Sequence, residues 1–430
     1  MCLNCLSLCM KTRVLYIILF SACSTMFCMC GSPGKKTDKV VINEDSVKLV
    51  IHNLDKGFKE KDYNILQANF ADNFSISVAT ASKNYIDPIL SSNGIQSINF
   101  VSVDSVYNDS IFTVKTLING VKGETESIIA FNKNYKVLFI DYMDRLYGHS
   151  RYNKSEKKAV FPFELKNGHI LISLKLNDSD KVLKFLLDTG ADGMAIRKTL
   201  ADSLNLPLSH SQNANIVGGQ MQITISSGNT VHLTDDFSLK NQNIALFETV
   251  KDSDGIIGLN LATNYITNVD FDKNEITLST FGDYKYSGEG EIIPVTVPYG
   301  IILIPGTLNI VGKEDVEGNF VFDSGANYYL IAFNQFVRKN RLLLSGFKPE
   351  DQASTISMGH ATPVFLGKAY KFRFAPNIEF TNMPITLQAS TGEGENNRRV
   401  PDGSIGIELI QKFNFTIDLL KKEIFLSSRV

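Results

Sequence analysis

No cysteine occurs beyond residue 30 of this 430-residue chain: Cys2, Cys5, Cys9, Cys23, Cys28 and Cys30 all lie in the leader. Disulfides therefore cannot hold the body of the protein together, which must rest on packing and hydrogen bonds. The six histidines (His52, His149, His169, His210, His232 and His360) are scattered, and none forms a His-x-x-x-His or Glu-x-x-His pair suited to a metal. A Gly-x-Ser-x-Gly elbow and a glycine-rich phosphate loop are both missing. The net charge is only −2, with both signs interspersed, and pairs such as Lys157-Lys158 and Arg398-Arg399 read as solvated loop charges. Neither a metal, a cofactor nor a nucleic-acid partner is expected.

What is present is a repeat. Phe185-Leu186-Leu187-Asp188-Thr189-Gly190-Ala191 and Phe320-Val321-Phe322-Asp323-Ser324-Gly325-Ala326 each end an apolar strand-like run with an aspartate, a small hydroxyl residue, glycine and alanine. Small residues of that kind suit a tight turn at a strand end. The similarity continues downstream. Asp254-Gly255-Ile256-Ile257-Gly258 and the run Asn268 to Ser279 match Asp402-Gly403-Ser404-Ile405-Gly406 and the run Phe415 to Ser427. Upstream, Gly168-His169-Ile170-Leu171-Ile172 matches Gly300-Ile301-Ile302-Leu303-Ile304. The chain therefore holds a degenerate tandem duplication, with halves at residues 158–284 and 285–430.

The paired Asp-Thr/Ser-Gly-Ala turns, each followed by an apolar-Gly segment, resemble the aspartic peptidases, both the retroviral type and the bilobed pepsin type. The resemblance implies a mainly β fold, a bilobed acid-protease-like double β-barrel in which each half supplies one catalytic aspartate, here Asp188 and Asp323. It further implies that Thr189 and Ser324 brace the two active-site loops, with Gly190, Ala191, Gly325 and Ala326 shaping them, and that the protein is a monomer with an internal pseudo-dimer. The short lobes and the run Asp188 to Asp192 are closer to the retroviral branch. Asn327 replaces Asp192 in the second copy and Ser404 replaces Ile256; neither change is expected to touch a catalytic atom, and both suggest unequal subsites.

Two carboxyl groups about 3 Å apart cannot both ionise easily, so they share a proton and titrate as a pair. The ionised member can activate a water while the protonated one hydrogen-bonds a scissile carbonyl. The expected substrate is a peptide or protein. Gly218, Gly219 and Gln220, between strand-like runs, give a hairpin signal and a substrate-covering flap is expected there; Ile356 to His360 is the counterpart in the second half. The alternative is a non-catalytic protein that binds peptides or small ligands in the same cleft.

Residues 1–39 read as signal peptide and tether. Lys11-Thr12-Arg13 followed by the apolar run Val14 to Ala22 has the charged and apolar regions of an export signal, with Met10 as an alternative start. Phe20-Ser21-Ala22-Cys23 resembles a bacterial lipoprotein processing site, which implies lipidation of Cys23, membrane anchoring, and a periplasmic or outer-membrane-facing location. Residues 40–147 read as a separate α+β domain. Val47, Val50, Ile51, Leu54 and Phe58 fall at helical spacing with Asp45 or Ser46 as cap, a short helix follows over Tyr63 to Phe70, and strands are expected over Ile95–Val103, Ser110–Ile118, Thr125–Phe131 and Tyr135–Tyr142. A helix-first layout ending in a sheet resembles cystatin-like or nuclear-transport-factor-like folds. The polar, basic stretch 148–157 reads as an exposed linker open to nicking at Arg151 or Lys154. The domain's role stays open between inhibitory prodomain, substrate presenter and spacer.

Overall fold

Asn43 sets the start of the first helix, because its side-chain oxygen accepts from the amides of Asp45 and Ser46 at 3.0 and 3.2 Å. The cap is thus Asn43 rather than Asp45 or Ser46. Helix α1 (Glu44–Glu60) buries Val47, Ile51, Leu54 and Phe58 on one face, as the spacing predicts, and α2 (Tyr63–Asn69) follows behind its Asp62 cap. Then come a small hairpin, β1 (Ser75–Ile76) and β2 (Ala79–Thr80), helix α3 (Lys83–Ser91), and the antiparallel strands β3 (Ile95–Tyr107), β4 (Ile111–Gly120), β5 (Gly123–Asn132) and β6 (Val137–Ile140). The run expected as a strand to Tyr142 stops at Ile140, where α4 (Asp141–Leu146) begins with Asp141 and Asp144 in its first turn. Acidic side chains there favour a helix start. The helices and sheet enclose one apolar core that includes Leu54, Leu66, Ile86, Phe112 and Phe131. This computed structural model describes residues 42–430 apart from 82, 108–110, 217–218, 249–252, 313, 358–359 and 390–400.

The duplication is visible strand for strand. The first lobe contains β7 (Lys157–Lys166), β8 (His169–Leu176), β9 (Leu183–Leu187), β10 (Met194–Arg197), α5 (Lys198–Ser203), β11 (Leu208–Ile216), β12 (Gly219–His232), β13 (Ser238–Phe247), β14 (Gly255–Ile257), β15 (Ile266–Asp270) and β16 (Glu275–Ser279). The second contains β17 (Gly290–Pro294), β18 (Leu303–Asn309), β19 (Val316–Phe322), β20 (Leu330–Ala332), α6 (Asn334–Lys339), β21 (Asp351–Ser357), β22 (His360–Ala375), β23 (Ile378–Gln388), β24 (Gly403–Ile405), α7 (Ile407–Ile410), β25 (Phe413–Asp418) and β26 (Glu423–Ser428). In each lobe the strand before the aspartate runs parallel to the later glycine-motif strand, β9 with β14 and β19 with β24. The pairings β8–β12 and β18–β22 close each set into a barrel. The fold is therefore a mainly β, two-barrel architecture.

A third sheet joins the lobes in the order β7-β16-β15-β25-β26-β17, three strands from each. Its pseudo-twofold axis lies between β15 and β25, which pair antiparallel with Asn268 opposite Thr416. Asn268 Nδ2 donates to Thr416 Oγ1 at 2.9 Å across that seam. Beneath it, Val269, Leu278, Phe322 and Phe415 belong to a single apolar core that runs through both lobes. Continuous burial of this size makes the two barrels one folding unit.

The stretch 148–157 is not an exposed linker throughout. The Arg151 side chain is 8 % exposed and its Nε lies 2.5 Å from Asp144 Oδ2, which is fully buried. Its Nη1 donates to the Leu420 carbonyl at 2.5 Å, and its guanidinium covers the Phe139 ring at 4.0 Å. Asp144 also accepts from the Ser77 amide. Lys422 donates from Nζ to the Val78 carbonyl, and burial, with the Arg151 charge next, pulls its ammonium down to about 7. Val78 packs against Ile266, Phe281 and Leu420. The β1–β2 hairpin is thereby fastened to the sheet that joins the lobes, and β2 touches the 3-10 turn Pro298–Gly300. Cutting Arg151 back to alanine would strand the buried Asp144 charge. Arg151→Ala should lower unfolding free energy by about 3–5 kcal/mol, read from urea denaturation; a change under about 1 kcal/mol would mean that the pair is not holding the domain.

Candidate active site

Each aspartate stands where its strand ends and is pinned by the strand beside it. The Asp188 amide donates to the Ile257 carbonyl and the Asp323 amide to the Ile405 carbonyl, both at 3.0 Å. The later glycine then passes behind the loop. Gly258 N–H donates to the Gly193 carbonyl at 3.2 Å and Gly406 N–H to the Tyr329 carbonyl at 3.0 Å. A Cβ on either glycine would run into loop carbonyls, those of Ala191 and Gly193 in one lobe and of Ala326 and Tyr328 in the other. The repeated apolar-Gly segment is thus a requirement of close backbone approach.

Between the two loops, Thr189 and Ser324 exchange four hydrogen bonds. Thr189 Oγ1 donates to the Phe322 carbonyl at 2.5 Å and accepts from the Ser324 amide at 3.0 Å. Ser324 Oγ donates to the Leu187 carbonyl at 2.7 Å and accepts from the Thr189 amide at 3.1 Å. Both residues are buried. Each hydroxyl satisfies one donor and one acceptor of the opposite lobe, so the loss of either would leave buried backbone groups without partners.

That brace sets the two carboxyls face to face. Gly190 N–H donates to Asp188 Oδ1 at 3.0 Å and Gly325 N–H to Asp323 Oδ1 at 3.1 Å. A Cβ on Gly190 would lie 2.7 Å from Asp323 Cγ, and one on Gly325 would meet Asp188 Cγ. Each carboxyl therefore rests on the other lobe's glycine, which brings the two side by side. Burial raises Asp188 above the ordinary carboxylate range and, with the charge of Asp188 next, raises Asp323 well above it. The amides of Gly190 and Gly325 act the other way, as does His169 on β8, whose charge favours ionised Asp188. Two such groups titrate as a pair that holds one proton over a wide pH range.

Ser404 overturns an expectation. Its Oγ donates to Asp323 Oδ2 at 3.3 Å, so the Ile256-to-Ser404 difference does reach a carboxyl of the pair. Nearby lies the Tyr328 phenol, which burial, with the Asp323 charge next, raises well above its usual value. Neither Ser404, Tyr328 nor His169 stood out as a site residue in the sequence. The available signal was a hydroxyl inside an otherwise apolar strand, which is costly unless it has a partner.

The flanking residues are held by the opposite lobe. Asn327 Nδ2 donates to the Asn167 carbonyl at 3.0 Å, next to Gly168, while Asp192 packs against Gly300. Burial raises Asp192. Asp254 and Asp402 are turn residues at matched positions, accepting from the Lys184 amide at 2.9 Å and the Asn319 amide at 2.8 Å. The hairpin expected around Gly219 and Gln220 is β11–β12, with Ile216 opposite Gly219, and β21–β22 is its counterpart, with Ser357 opposite His360. Gly218 and Cys23 lie outside the described residues. Among the described residues, no three His, Cys, Asp or Glu side chains gather as metal ligands would.

Thr189→Val keeps the shape of the side chain but deprives the Phe322 carbonyl and Ser324 amide of their partner. It should cost about 2–4 kcal/mol of stability, whereas Thr189→Ser should stay within about 1 kcal/mol of the parent. Chemical denaturation of both variants tests this, and equal losses would mean that the hydroxyl is not the part that matters.

Residues 172–261, from β8 through Asp188 to just beyond Gly258, match the family model described as "Aspartyl protease". Among solved structures, the aspartic proteinase from Irpex lacteus is similar at 12% sequence identity and a TM-score of 0.43, over 64% of this chain and 98% of that one. No curated protein sequence matches. The matched segment carries Asp188-Thr189-Gly190-Ala191 and Ile256-Ile257-Gly258 of the first lobe.

Proposed function

We propose that the protein is an aspartic endopeptidase that hydrolyses peptide bonds with water activated between Asp188 and Asp323. The observation that carries this reading is the adjacent carboxyl pair, each member seated on the other lobe's glycine. In the singly protonated pair, the ionised carboxyl takes a proton from the attacking water while the protonated one donates to the substrate carbonyl. The proton gained by the first returns to the leaving amine, so no net proton is consumed by the pair. Thr189 and Ser324 keep the carboxyls in place without reorganisation during the step. Because the carboxyls sit on opposing loops, a peptide would lie between the barrels, and the β11–β12 hairpin is the element suited to cover it.

Cleavage of a mixed peptide library by the full chain between about pH 3 and 7 tests the reading. Activity should fall by at least about 10³-fold in Asp188→Asn and in Asp323→Asn. A folded parent that binds peptides as its variants do, and cuts none, would identify a peptide-binding cleft instead. The same variants carry a stability signature of opposite sign. A carboxyl whose pKa is raised by burial costs stability once pH exceeds its unfolded value, so Asp323→Asn should melt higher than the parent near pH 7. The gain should vanish near pH 3, where the unfolded and folded carboxyls are both protonated.

Export and lipid anchoring are proposed on the leader sequence, with Cys23 as the acylated residue. Palmitate incorporation that persists in Cys23→Ser would place the anchor elsewhere.

A further inference from the structure

The two lobes differ beside their aspartates in a coordinated way. Ile256 and Ser404 occupy the same register, opposite Leu186 and Val321, each two residues before its aspartate. Gly193 and Tyr328 are likewise matched, since their carbonyls crowd Gly258 and Gly406 in the same manner. Where lobe one has a bulky apolar side chain and a glycine, lobe two has a small hydroxyl and a phenol. The exchange conserves volume roughly and reverses polarity. Ile256 turns to a small apolar cluster with Ala195, Ile223, Ile225 and Phe247. Ser404, 1 % exposed, instead donates to Asp323 Oδ2 at 3.3 Å.

We propose that Ser404 is a positioning residue of the dyad: a hydroxyl that lobe two alone aims at one carboxyl, making the two aspartates inequivalent and setting the pH range over which they share one proton. The inference rests on the peptidase reading for its consequence in catalysis, and on geometry alone for its effect on the carboxyls. Asp323 then has two donors on two oxygens, the Gly325 amide on Oδ1 and Ser404 on Oδ2, which fixes the plane of the carboxyl. For Asp188, the Gly190 amide on Oδ1 is the corresponding lobe-one donor, and Ile256 offers none. The ionisable groups that face the pair are His169 from β8 and Tyr328 from the second loop.

The direction of the effect follows from the donor. A hydrogen bond given to a carboxylate favours its ionised form, so removing it raises the apparent pKa values of the pair. In the full chain, Ser404→Ala should move at least one limb of the kcat/KM pH profile upward by about one unit. Ser404→Thr, which restores a hydroxyl, should leave the parent profile. A readout independent of turnover is the pH titration of the aspartate carboxyl carbons by NMR, with Asp188→Asn and Asp323→Asn assigning the two signals. The Asp323 signal should titrate higher in Ser404→Ala, even in a protein that cuts no peptide. Loss of the peptidase reading would therefore show as an inactive parent with this shift intact. Unmoved limbs and an unmoved Asp323 titration, in a folded Ser404→Ala variant, would overturn the assignment and leave Ser404 as packing.

Discussion

Everything at the centre of this molecule depends on two side-chain hydroxyls reaching across a lobe boundary. Thr189 and Ser324 each bond the backbone of the opposite loop at both ends. Without them the carboxyls would be free to separate, since two neighbouring acids repel whenever both ionise. The brace opposes that repulsion with neutral, fully satisfied hydrogen bonds placed one residue away from the charge. Strain at the carboxyls is thereby held by groups that do not themselves titrate.

The sheet that joins the lobes does the same work on a larger scale. Three strands from each half lie on either side of an axis between β15 and β25, and the apolar core passes beneath without a break. The N-terminal domain is tied into the same sheet through Arg151, Asp144 and Lys422 rather than hung from it by a slack tether. Its β2 strand touches the Pro298–Gly300 turn, whose last residue packs on Asp192. A chain of contact therefore runs from that domain to the residue four places after Asp188.

Much of this was legible in the amino-acid sequence because repetition is a strong signal. Asp188 and Asp323, their glycines and the later apolar-Gly segments were all fixed by comparing the chain with itself. The α1 face was legible from spacing alone. Other features were hidden for physical reasons. Pro88 sits inside α3 and interrupts the usual helix pattern. Arg151 looked like a solvated linker charge, because its partners Asp144, Ser75 and Leu420 come from three separate places in the chain. Ser404 was noticed only as an exception to an apolar motif. Its significance depends on Asp323, 81 positions earlier in the sequence, and no local pattern links them.

A site assembled from two identical chains must express every substitution twice, once on each side of its axis. Here the axis passes through a single chain, between β15 and β25, and the halves are free to drift apart one residue at a time. The Ile256/Gly193 and Ser404/Tyr328 pairs are what such freedom permits. A peptide has a direction, with an amino end and a carboxyl end, and a mirror-balanced pair of acids has no means of telling them apart. Fusion of the halves lets the two sides of the site differ, and the proposed peptide substrate would meet them as two unlike surfaces.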